Sequence, residues 1–372
     1  MSERVIVLMT TYQCNRSCVY CYERHKESLF MSPELAKEIL AKEFVTCSND
    51  GKTTSLEISF MGGEPLLNFP LIKDVCNWIW TRQCELPYSL FVRTNGSLLD
   101  EEKQKWFWRN SSRIKMGLSM DGLSGMNRFN RGEFETHLDF FRRTWPQVPV
   151  KVVLFPDSID LLAETVVEAE EKDVPLELFF AEGVEWTPDS VRVLGGEYEK
   201  LINHYLRQRN IIPPRGLFSE NLRDLYSPNN NENSERLVLC GESHNEVCYD
   251  VDGTERICHI FTPVTMGRDL ADRARRELSA GDIAITEDSE CIRCPIKMDC
   301  KRCFGFNLLI RGDVSKNAAR VTTCLATWER ARATALFFLK RLESQYGDKP
   351  TPTHEQIALG RNALRLLNET FR

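Results

Sequence analysis

Two alternating patterns run through the first half of the chain, and they constrain its fold more than any other feature. From residue 5 to about residue 184, short β-rich runs alternate with segments whose apolar residues recur at helical spacing. The six β-rich runs are Val5–Thr11, Leu56–Met61, Leu90–Thr94, Ile114–Met120, Val150–Phe155 and Leu176–Phe180. Six strand–helix units in a row predict a parallel sheet with right-handed crossovers. The predicted fold class is α/β with a partial (βα)6 TIM-like barrel, although an open doubly wound sheet would give the same pattern.

In the rest of the chain the sequence pattern changes twice. A helical stretch, Ser190–Arg209, precedes a polar segment containing SPNNNENSE, which predicts a linker or a long surface loop. Residues 240–324 then hold eight of the fourteen cysteines and show little helical or strand periodicity, so we expect a metal core there in place of a hydrophobic one. The predicted domains are residues 1–210 (barrel), 211–239 (linker), 240–324 (cysteine-rich domain) and 325–372 (helical tail).

Composition and charge exclude several classes of protein. A formal net charge of −6 gives no reason to expect a nucleic-acid partner. No stretch approaches the ~20 apolar residues of a membrane span, and the apolar run at Val5–Met9 is too short for a secretion signal. We therefore expect a cytoplasmic protein without a membrane partner. In that reducing compartment, fourteen cysteines indicate metal sites rather than disulfides.

Three cysteines stand directly after the first predicted strand, in the segment CNRSCVYC: Cys14, Cys18 and Cys21. Three thiolates with C-x3-C-x2-C spacing in one loop can bind three irons of a cubane cluster. The fourth iron is then left without a protein ligand, and an open metal position is typical of a catalytic site. The alternative is a structural zinc loop that takes its fourth ligand from elsewhere, such as His25.

The CNRSCVYC segment, with Tyr20 at the aromatic position before the last cysteine, resembles the signature of the radical S-adenosylmethionine superfamily. The resemblance implies that the open iron chelates S-adenosylmethionine, whose cleavage gives a 5′-deoxyadenosyl radical that abstracts a hydrogen atom from a substrate. It also implies that residues at later strand ends contact this cofactor. These residues are Gly62, Gly63, Glu64 and Pro65 after the second strand, Thr94 and Asn95 after the third, and Ser119 and Asp121 after the fourth. A plain strand-to-helix turn would not need Glu64, whose carboxylate is suited to an ammonium group.

The C-terminal cysteines are similar to the SPASM extension, which in related enzymes holds two auxiliary 4Fe–4S clusters. The resemblance assigns Cys240, Cys248, Cys258 and Cys303 to the first cluster, and Cys291, Cys294, Cys300 and Cys324 to the second. Two residues separate Cys300 from Cys303, where that family usually has three. Whether Cys248 is a ligand decides whether the first auxiliary cluster is closed. The expected cofactors are three 4Fe–4S clusters (one catalytic, two auxiliary) and S-adenosylmethionine, with zinc as the alternative for C-x2-C pairs.

One position departs from a group of enzymes that this chain resembles in architecture, the anaerobic sulfatase-maturating enzymes. They carry an aspartate base directly after a cysteine that corresponds to Cys258, and here His259 follows. A histidine can accept a proton near neutral pH, so His259 is the candidate catalytic base, or it can donate a hydrogen bond to a cluster sulfur. The departure argues against sulfatase maturation.

Enzymes of this architecture mostly modify ribosomally made peptides. We expect a radical S-adenosylmethionine peptide maturase that forms an intramolecular crosslink, thioether or carbon–carbon, by net oxidation. The alternatives are formylglycine formation on a sulfatase, oxidation of a small molecule, and a zinc-binding adaptor. The expected partners are a precursor peptide and a flavodoxin- or ferredoxin-type electron donor. Because the first strand begins at residue 5, we expect no added N-terminal domain for a leader peptide. The peptide would then be bound by a separate protein, by the SPASM region or by adding a strand to an exposed sheet edge.

Overall fold

Parallel strands build the main sheet. The computed structural model describes residues 2–208, 210–219, 245–278, 291, 294–297, 299–300, 302–346 and 352–368. The strands are β1 (Ser2–Thr11), β2 (Thr53–Gly62), β3 (Tyr88–Thr94), β4 (Lys115–Leu118), β5 (Val150–Leu154), β6 (Leu176–Phe180), β7 (Glu246–Tyr249) and β8 (Glu255–Arg256). Six of them form a sheet of order β4-β3-β2-β1-β7-β8, and β5 pairs with β6. All neighbours in the larger sheet are parallel except β7 and β8. The α/β prediction with a parallel sheet is confirmed.

Helices follow the strands as the alternation predicts. They are α1 (Pro33–Asn49), α2 (Phe69–Trp80), α3 (Glu101–Arg109), α4 (Gly125–Arg131), α5 (Leu138–Thr144), α6 (Leu162–Glu171), α7 (Pro188–Arg207), α8 (Pro263–Met266), α9 (Arg268–Glu277), α10 (Phe304–Arg311), α11 (Cys324–Tyr346) and α12 (His354–Asn368). The first helix begins where the sequence favours it, because the Ser32 hydroxyl accepts a hydrogen bond from the Leu35 amide and Pro33 occupies the first helical position. Among the described residues, no helix is both long and apolar enough to cross a membrane.

The cysteine-rich segment has more regular structure than its sequence suggested. Residues 245–278 form β7, β8, α8 and α9, and β7 lies parallel to β1, with Cys248 opposite Val7. The strand was missed because four residues are too few to show a period. The helix α9 was missed because only Ala271 and Ala274 of its ten residues are buried, which leaves almost no apolar signal.

The chain divides into two compact units. The first comprises residues 1–120, 131–151 and 241–283, and the second comprises residues 121–130, 152–240 and 284–372. In the first unit, consecutive residues Ile6 to Met9 of β1 are all buried, which is the burial expected of a strand covered on both faces. In the second unit, α11 and α12 share an apolar cluster built on Trp328, Ala335 and Leu366.

Candidate active site

The three N-terminal cysteines lie in a loop that β1 and β2 hold between them. Beyond the last paired residues of these strands, the Gly63 amide donates to the Thr11 carbonyl (3.0 Å), and the Glu64 amide donates to the Gln13 carbonyl (2.9 Å). A Cβ atom at Gly62 would lie 2.3 Å from the Thr11 oxygen, and one at Gly63 would lie 2.4 Å from the Gln13 oxygen. The two glycines therefore allow the backbone leading into Cys14 to pass in direct contact with the end of β2.

The loop itself presents half-buried thiols. The Cys21 amide donates to the Cys18 carbonyl (3.1 Å), and the Arg16 amide donates to the Cys14 sulfur (3.4 Å). Burial raises the pKa of the Cys14 thiol to about 11 and also raises the pKa of Cys21, and a negative charge on Cys18 adds to both shifts. The three sulfurs are thus near enough to repel one another as thiolates. Iron would relieve this repulsion, so the donor set fits three irons of a cluster.

The Glu64 carboxylate is buried and accepts hydrogen bonds from other groups of the protein. Its side chain is 1% exposed. One carboxylate oxygen accepts hydrogen bonds from the Leu66 amide (3.1 Å) and the Thr94 hydroxyl (2.6 Å), and the other accepts from the Asn95 amide (2.9 Å). Burial raises the pKa of Glu64. The turn after β2 does use Glu64, because its carboxylate caps the turn and ties the end of β2 to the end of β3. That corrects the expectation that such a turn would not need it.

Asn95 extends this connection to the cysteine loop. Its side-chain amide donates to the Asn15 side-chain oxygen (3.1 Å), and its own oxygen accepts from the Ser97 amide (2.9 Å) and hydroxyl (2.6 Å). Asn15 in turn donates to the Ser97 hydroxyl (2.8 Å). Asn15 lies between Cys14 and Cys18, so the predicted site residues Glu64, Thr94 and Asn95 form one hydrogen-bonded chain that ends inside the cysteine loop. Asn15 and Ser97 were missed, since no spacing rule marks them.

Three further residues of the predicted cofactor site, Tyr20, Pro65 and Ser119, are buried or half-buried. Tyr20 is half-buried, with the Arg131 guanidinium carbon 5.5 Å from its ring centre. Pro65 is buried at the start of the turn that Glu64 caps. Ser119 is half-buried, and its amide donates to the Thr94 carbonyl (2.9 Å), which continues the pairing of β4 with β3.

Asp121 belongs to the second unit and is completely buried. Its carboxylate accepts from the Val153 amide (2.8 Å) and the Asn130 side chain (3.1 Å), and its own amide donates to the Asn127 side chain (3.0 Å). These bonds join the turn after β4 to β5 and α4. Asp121 therefore stabilises the packing of this turn against β5 and α4.

The cysteine-rich segment makes a second set of contacts that hold the start of the cysteine loop. The Tyr12 hydroxyl donates to the Asp250 carboxylate, which lies 3.4 Å from the Arg256 guanidinium. Arg256 also donates to the Ala271 carbonyl (2.9 Å) and the Asp272 carboxylate (3.0 Å). Tyr12, two positions before Cys14, is thus bound to the end of β7 and, through Asp250 and Arg256, connected to α9.

His259 is paired with a carboxylate that the sequence did not reveal. The Glu246 carboxylate lies 3.0 Å from the His259 Nδ1 atom and 3.3 Å from the His259 amide nitrogen, and its side chain is 3% exposed. The side-chain ligand atoms of Glu246, Cys258 and His259 lie within 4.8 Å of one another. The Tyr22 and His259 ring centres are 6.4 Å apart. The candidate base thus lies in the same unit as the N-terminal cysteines, near the residue that follows Cys21.

Cys248 is part of the core on one face of β1. It is completely buried, and it packs with Val7, Met9 and Val264. Burial raises its pKa, and the charges of Glu246 and Cys258 add to that shift, so Cys248 and Cys258 lie near each other. Cys240, the first predicted ligand of this set, lies outside the described residues, and Cys303 belongs to the second unit, where it immediately precedes α10.

The second unit brings together the second C-terminal set. The Asn317 side-chain amide lies 3.9 Å from the sulfurs of both Cys291 and Cys300. Burial raises the pKa of Cys294 to about 11 and that of Cys324 to about 12, and charges on the neighbouring cysteines contribute to both shifts. Four thiols that influence one another around one amide donor fit a closed iron–sulfur site.

Three described cysteines lie outside these sets: Cys47 and Cys76 are buried, and Cys84 is half-buried.

Sequence comparisons agree with the cluster reading. Residues 3–116 match a family described as a 4Fe-4S single cluster domain. An uncharacterized protein (MJ0907) of Methanocaldococcus jannaschii is 36% identical over 124 residues, which are 32% of this chain and 38% of that protein. The radical SAM cyclopropyl synthase TigE of Paramaledivibacter caminithermalis is 23% identical over 186 residues, 44% of this chain and 38% of TigE. The match to each of these proteins covers well under half of its length.

Solved structures share the fold over most of the chain. Native anSMEcpe with bound AdoMet has a TM-score of 0.61 at 16% identity, covering 94% of this chain and 100% of that one. Streptococcus suis SuiB bound to the precursor peptide SuiA has a TM-score of 0.57 at 18% identity, covering 86% of this chain and 75% of SuiB. The predicted resemblance is confirmed in two respects: residues 3–116 match a 4Fe-4S domain, and the chain shares the fold of anSMEcpe and SuiB.

Proposed function

We propose that this chain, which shares its 4Fe–4S domain and its fold with radical S-adenosylmethionine enzymes, modifies a ribosomally made peptide and joins two of its side chains by net oxidation. The observation that carries the proposal is the way Cys14, Cys18 and Cys21 are held. Their loop is tied to β2 by two glycines and to the end of β3 by the Glu64–Asn95–Asn15 hydrogen bonds. A structural zinc loop has no need of so much support at the carboxyl ends of parallel strands, which is where α/β enzymes bind their substrates.

The chain's own residues would hold the catalytic group as follows. Cys14, Cys18 and Cys21 would bind three irons of a 4Fe–4S cluster, and the fourth iron would stay open to S-adenosylmethionine. Bound together, the cluster and S-adenosylmethionine supply a 5′-deoxyadenosyl radical that removes a hydrogen atom from the substrate. Gly62 and Gly63 fix the backbone beside the first cysteine, while Tyr20, Ser119 and the Thr94–Asn95 turn are proposed to contact the cofactor.

Two auxiliary sites are proposed for the later cysteines. Cys291, Cys294, Cys300 and Cys324 would hold one 4Fe–4S cluster, and the Asn317 amide beside two of their sulfurs would raise its reduction potential. Cys240, Cys248, Cys258 and Cys303 are the proposed ligands of the other. Forming a bond after hydrogen abstraction leaves one electron to be removed from the product radical, and a closed auxiliary cluster is a suitable acceptor for it.

His259 is proposed as the group that takes the proton released in this step. Glu246 is then a positioning residue, because its buried carboxylate beside Nδ1 fixes the ring and stabilises the imidazolium form. Replacing Glu246 by glutamine should lower kcat for peptide modification more than it changes KM for the peptide. A fall in peptide affinity with an unchanged kcat would contradict this role.

The alternative within the same chemistry is formylglycine formation on a sulfatase. The full-length likeness to anSMEcpe favours it, and that protein also has a form with a bound Cp18Cys peptide. His259 stands where the resembling enzymes carry an aspartate, so we retain crosslinking as the leading proposal. Oxidation of a small molecule is a further alternative in the same class, and a zinc-binding adaptor is the alternative that is not an enzyme.

Two measurements test the proposal in sequence. Anaerobically reconstituted protein should contain about twelve irons per chain if all three clusters assemble, and it should cleave S-adenosylmethionine. Zinc in place of iron would establish the adaptor.

A short peptide encoded beside this gene, co-expressed without oxygen, should lose two hydrogen atoms per bond and resist fragmentation across the linked segment. An unchanged mass from protein that cleaves S-adenosylmethionine would exclude that peptide as substrate and favour the sulfatase or small-molecule alternatives.

The triple substitution of Cys14, Cys18 and Cys21 by alanine is the control for both measurements. It should remove about four irons and all 5′-deoxyadenosine formation. Residual 5′-deoxyadenosine above the enzyme-free background would contradict the assignment of the catalytic site.

A further inference from the structure

The segment from Arg16 to Lys26 forms a loop that a hydrogen bond closes. The Lys26 ammonium group donates to the Arg16 carbonyl oxygen (2.8 Å), ten positions earlier in the sequence. Cys18 and Cys21 lie inside this loop, and Cys14 lies two positions before it. The outer surface of residues 16–26, here named the cysteine-loop surface, is therefore adjacent to the three sulfurs of the proposed catalytic site.

The cysteine-loop surface exposes positive charge and buries negative charge. Arg24 is exposed and Arg16 and Lys26 are half-buried, whereas Glu23, the one acid in residues 16–26, is 8% exposed. Within the described part of the chain, none of the three cations forms an ion pair. Val19 adds an apolar side chain that is 54% exposed. The chain as a whole has a net charge of −6, so this basic and apolar surface has the opposite sign.

Two contacts around this surface leave its positive charge intact. The Glu27 carboxylate, the next acid along the chain, lies 2.6 Å from the Arg268 guanidinium, so these two charges cancel each other. The Arg16 guanidinium carbon lies 3.7 Å from the centre of the Phe134 ring, and its buried Nε atom has no hydrogen-bond partner among the described residues. Arg16 is thus positioned by an aromatic ring rather than by an acid.

The charge of Lys26 also reaches the sulfurs. Burial raises the pKa values of the Cys14 and Cys21 thiols, and among the charged groups Lys26 opposes both shifts most strongly. Its ammonium group therefore lies close to two of the three proposed iron ligands. A partner that pairs with Lys26 would come close to the proposed cluster.

The proposed chemistry requires such a partner. Cleavage of one S-adenosylmethionine consumes one electron, which a donor outside the chain must lose. A donor with a negatively charged face would meet complementary charge on the cysteine-loop surface, which speeds the encounter of two proteins. Electron-transfer encounters are weak and bury little area, so a small surface is sufficient.

We propose that the cysteine-loop surface is the docking site of the electron donor, a one-electron carrier protein whose redox group is surrounded by carboxylates. The inference rests on the proposed function, which requires reductive cleavage of S-adenosylmethionine. The carboxylates of the carrier would pair with Arg16, Arg24 and Lys26, and Val19 would contact an apolar part of it. The carrier is oxidised by one electron, the cluster is reduced by one, and no bond of the carrier forms or breaks.

Two reductants separate docking from the chemistry that follows. Saturating dithionite is a small molecule that needs no docking surface, whereas a bacterial flavodoxin in its hydroquinone form, with carboxylates around the flavin, needs one. In peptide-independent S-adenosylmethionine cleavage, Arg24→Glu should raise KM for flavodoxin about fivefold, because it replaces an attraction by a repulsion. The dithionite-driven rate and the iron content should equal those of the wild type.

Arg109→Glu is the matched control, the same charge reversal at another exposed position of the first unit. Arg109 ends α3, which leads from the carboxyl end of β3 to the amino end of β4, and these strands are parallel. It therefore lies at the opposite end of the sheet from the cysteine loop, which follows the carboxyl end of β1. Arg109→Glu should leave KM for flavodoxin and the dithionite-driven rate unchanged.

The affinity for oxidised flavodoxin provides a readout that does not depend on turnover. Binding to the reconstituted wild-type protein should weaken as sodium chloride is added, because salt screens exposed charges. Arg24→Glu should bind more weakly than Arg109→Glu at low salt. An iron-replete Arg24→Glu variant with wild-type KM and affinity for flavodoxin would overturn the docking site. So would a raised KM for the peptide alone, since the surface would then bind an acidic peptide. A wild-type protein that cleaves no S-adenosylmethionine with dithionite would instead overturn the proposed function.

Discussion

At the scale of single residues, the site depends on polar side chains whose hydrogen bonds are made inside the protein. Glu64 accepts three such bonds at the ends of β2 and β3, where water cannot replace them. Glu64→Gln keeps the size of the side chain but places an amide N–H₂ against at least one of these donors. We expect the free energy of unfolding to fall by about 1–3 kcal/mol, the usual effect of leaving a buried donor without an acceptor.

Chemical denaturation, together with the cluster absorbance of reconstituted protein, measures this effect. Glu101→Gln, at an exposed position of α3, is the matched control and should have no measurable effect. If the Glu64→Gln variant is as stable as the control and loads iron normally, the carboxylate does not organise the site.

The buried thiols make a second prediction at this scale. Burial favours the neutral thiol of Cys14, whose pKa of about 11 means that the thiolate fraction keeps rising with pH well above pH 9. In iron-free protein, alkylation of Cys14 by iodoacetamide should therefore accelerate about tenfold per pH unit between pH 7 and pH 10. Peptide mapping by mass spectrometry follows this cysteine alone, with N-acetylcysteine as the exposed reference. A plateau near pH 8.5 would mean that Cys14 is not held in a buried loop.

Residues of the site were predictable from sequence only where a spacing rule marks them. The C-x3-C-x2-C pattern identified three cysteines, and GGEP identified a turn, because both patterns are local. Glu246 and Asn15 were not found, since each acquires its partner through tertiary contacts. For Glu246 the partner is thirteen residues away, and for Asn15 it is eighty.

At the scale of elements, the close contact between β2 and the cysteine loop depends on two positions that lack a side chain. A Cβ atom at Gly63 would be 2.4 Å from a backbone oxygen, which cannot rotate away as a side chain can. Gly63→Ala must therefore displace residues 12–13 and the cysteine that follows them. We expect a loss of about 1–3 kcal/mol in unfolding free energy, as for other overpacked positions, and incomplete loading of the first cluster.

Gly196→Ala is the control for that substitution. Gly196 lies in α7 with open space around it, so alanine there should raise stability by about 0.5–1 kcal/mol through its higher helix propensity. Thermal unfolding and iron content distinguish the two variants. Equal iron content in both would show that the loop tolerates displacement from β2.

The strands β1–β6 and the longer helices between them were predictable where a period and a boundary signal mark them, such as the Ser32 cap of α1. One element that sequence patterns did not reveal, β7, is short and follows a long segment without periodicity. Its place beside β1 is determined by burial: Cys248 and Val247 are buried and extend the core of the first unit. No pattern within four residues carries that information.

At the scale of the whole molecule, the two units hold different parts of the proposed chemistry. The first unit contains the three N-terminal cysteines and the His259–Glu246 pair, and the second contains Cys291, Cys294, Cys300 and Cys324 with Asn317. The alternation of strands and helices predicted the fold class, but it could not predict this division. The first unit combines residues 1–120 with residues 241–283, and only tertiary packing joins segments so distant in sequence.

The division predicts that hydrogen abstraction and net oxidation can be separated. Replacing Cys291 and Cys294 by alanine removes two thiols from the second set and none from the first unit. Iron content should fall by about four per chain, while S-adenosylmethionine cleavage without peptide should stay near the wild-type rate. With peptide, hydrogen abstraction should still occur, because it depends on the first unit. The loss of two hydrogen atoms should not follow, because the product radical has lost its electron acceptor.

Deuterium transfer from a labelled peptide into 5′-deoxyadenosine reports the abstraction, and the peptide mass reports the oxidation. Replacing Cys47 and Cys76 by alanine, two buried cysteines outside every proposed set, controls for the removal of thiols and should preserve both signals. A Cys291/Cys294 variant that still oxidises the peptide at the wild-type rate would show that the electron leaves by another route. The second cysteine set would then have no part in the oxidation.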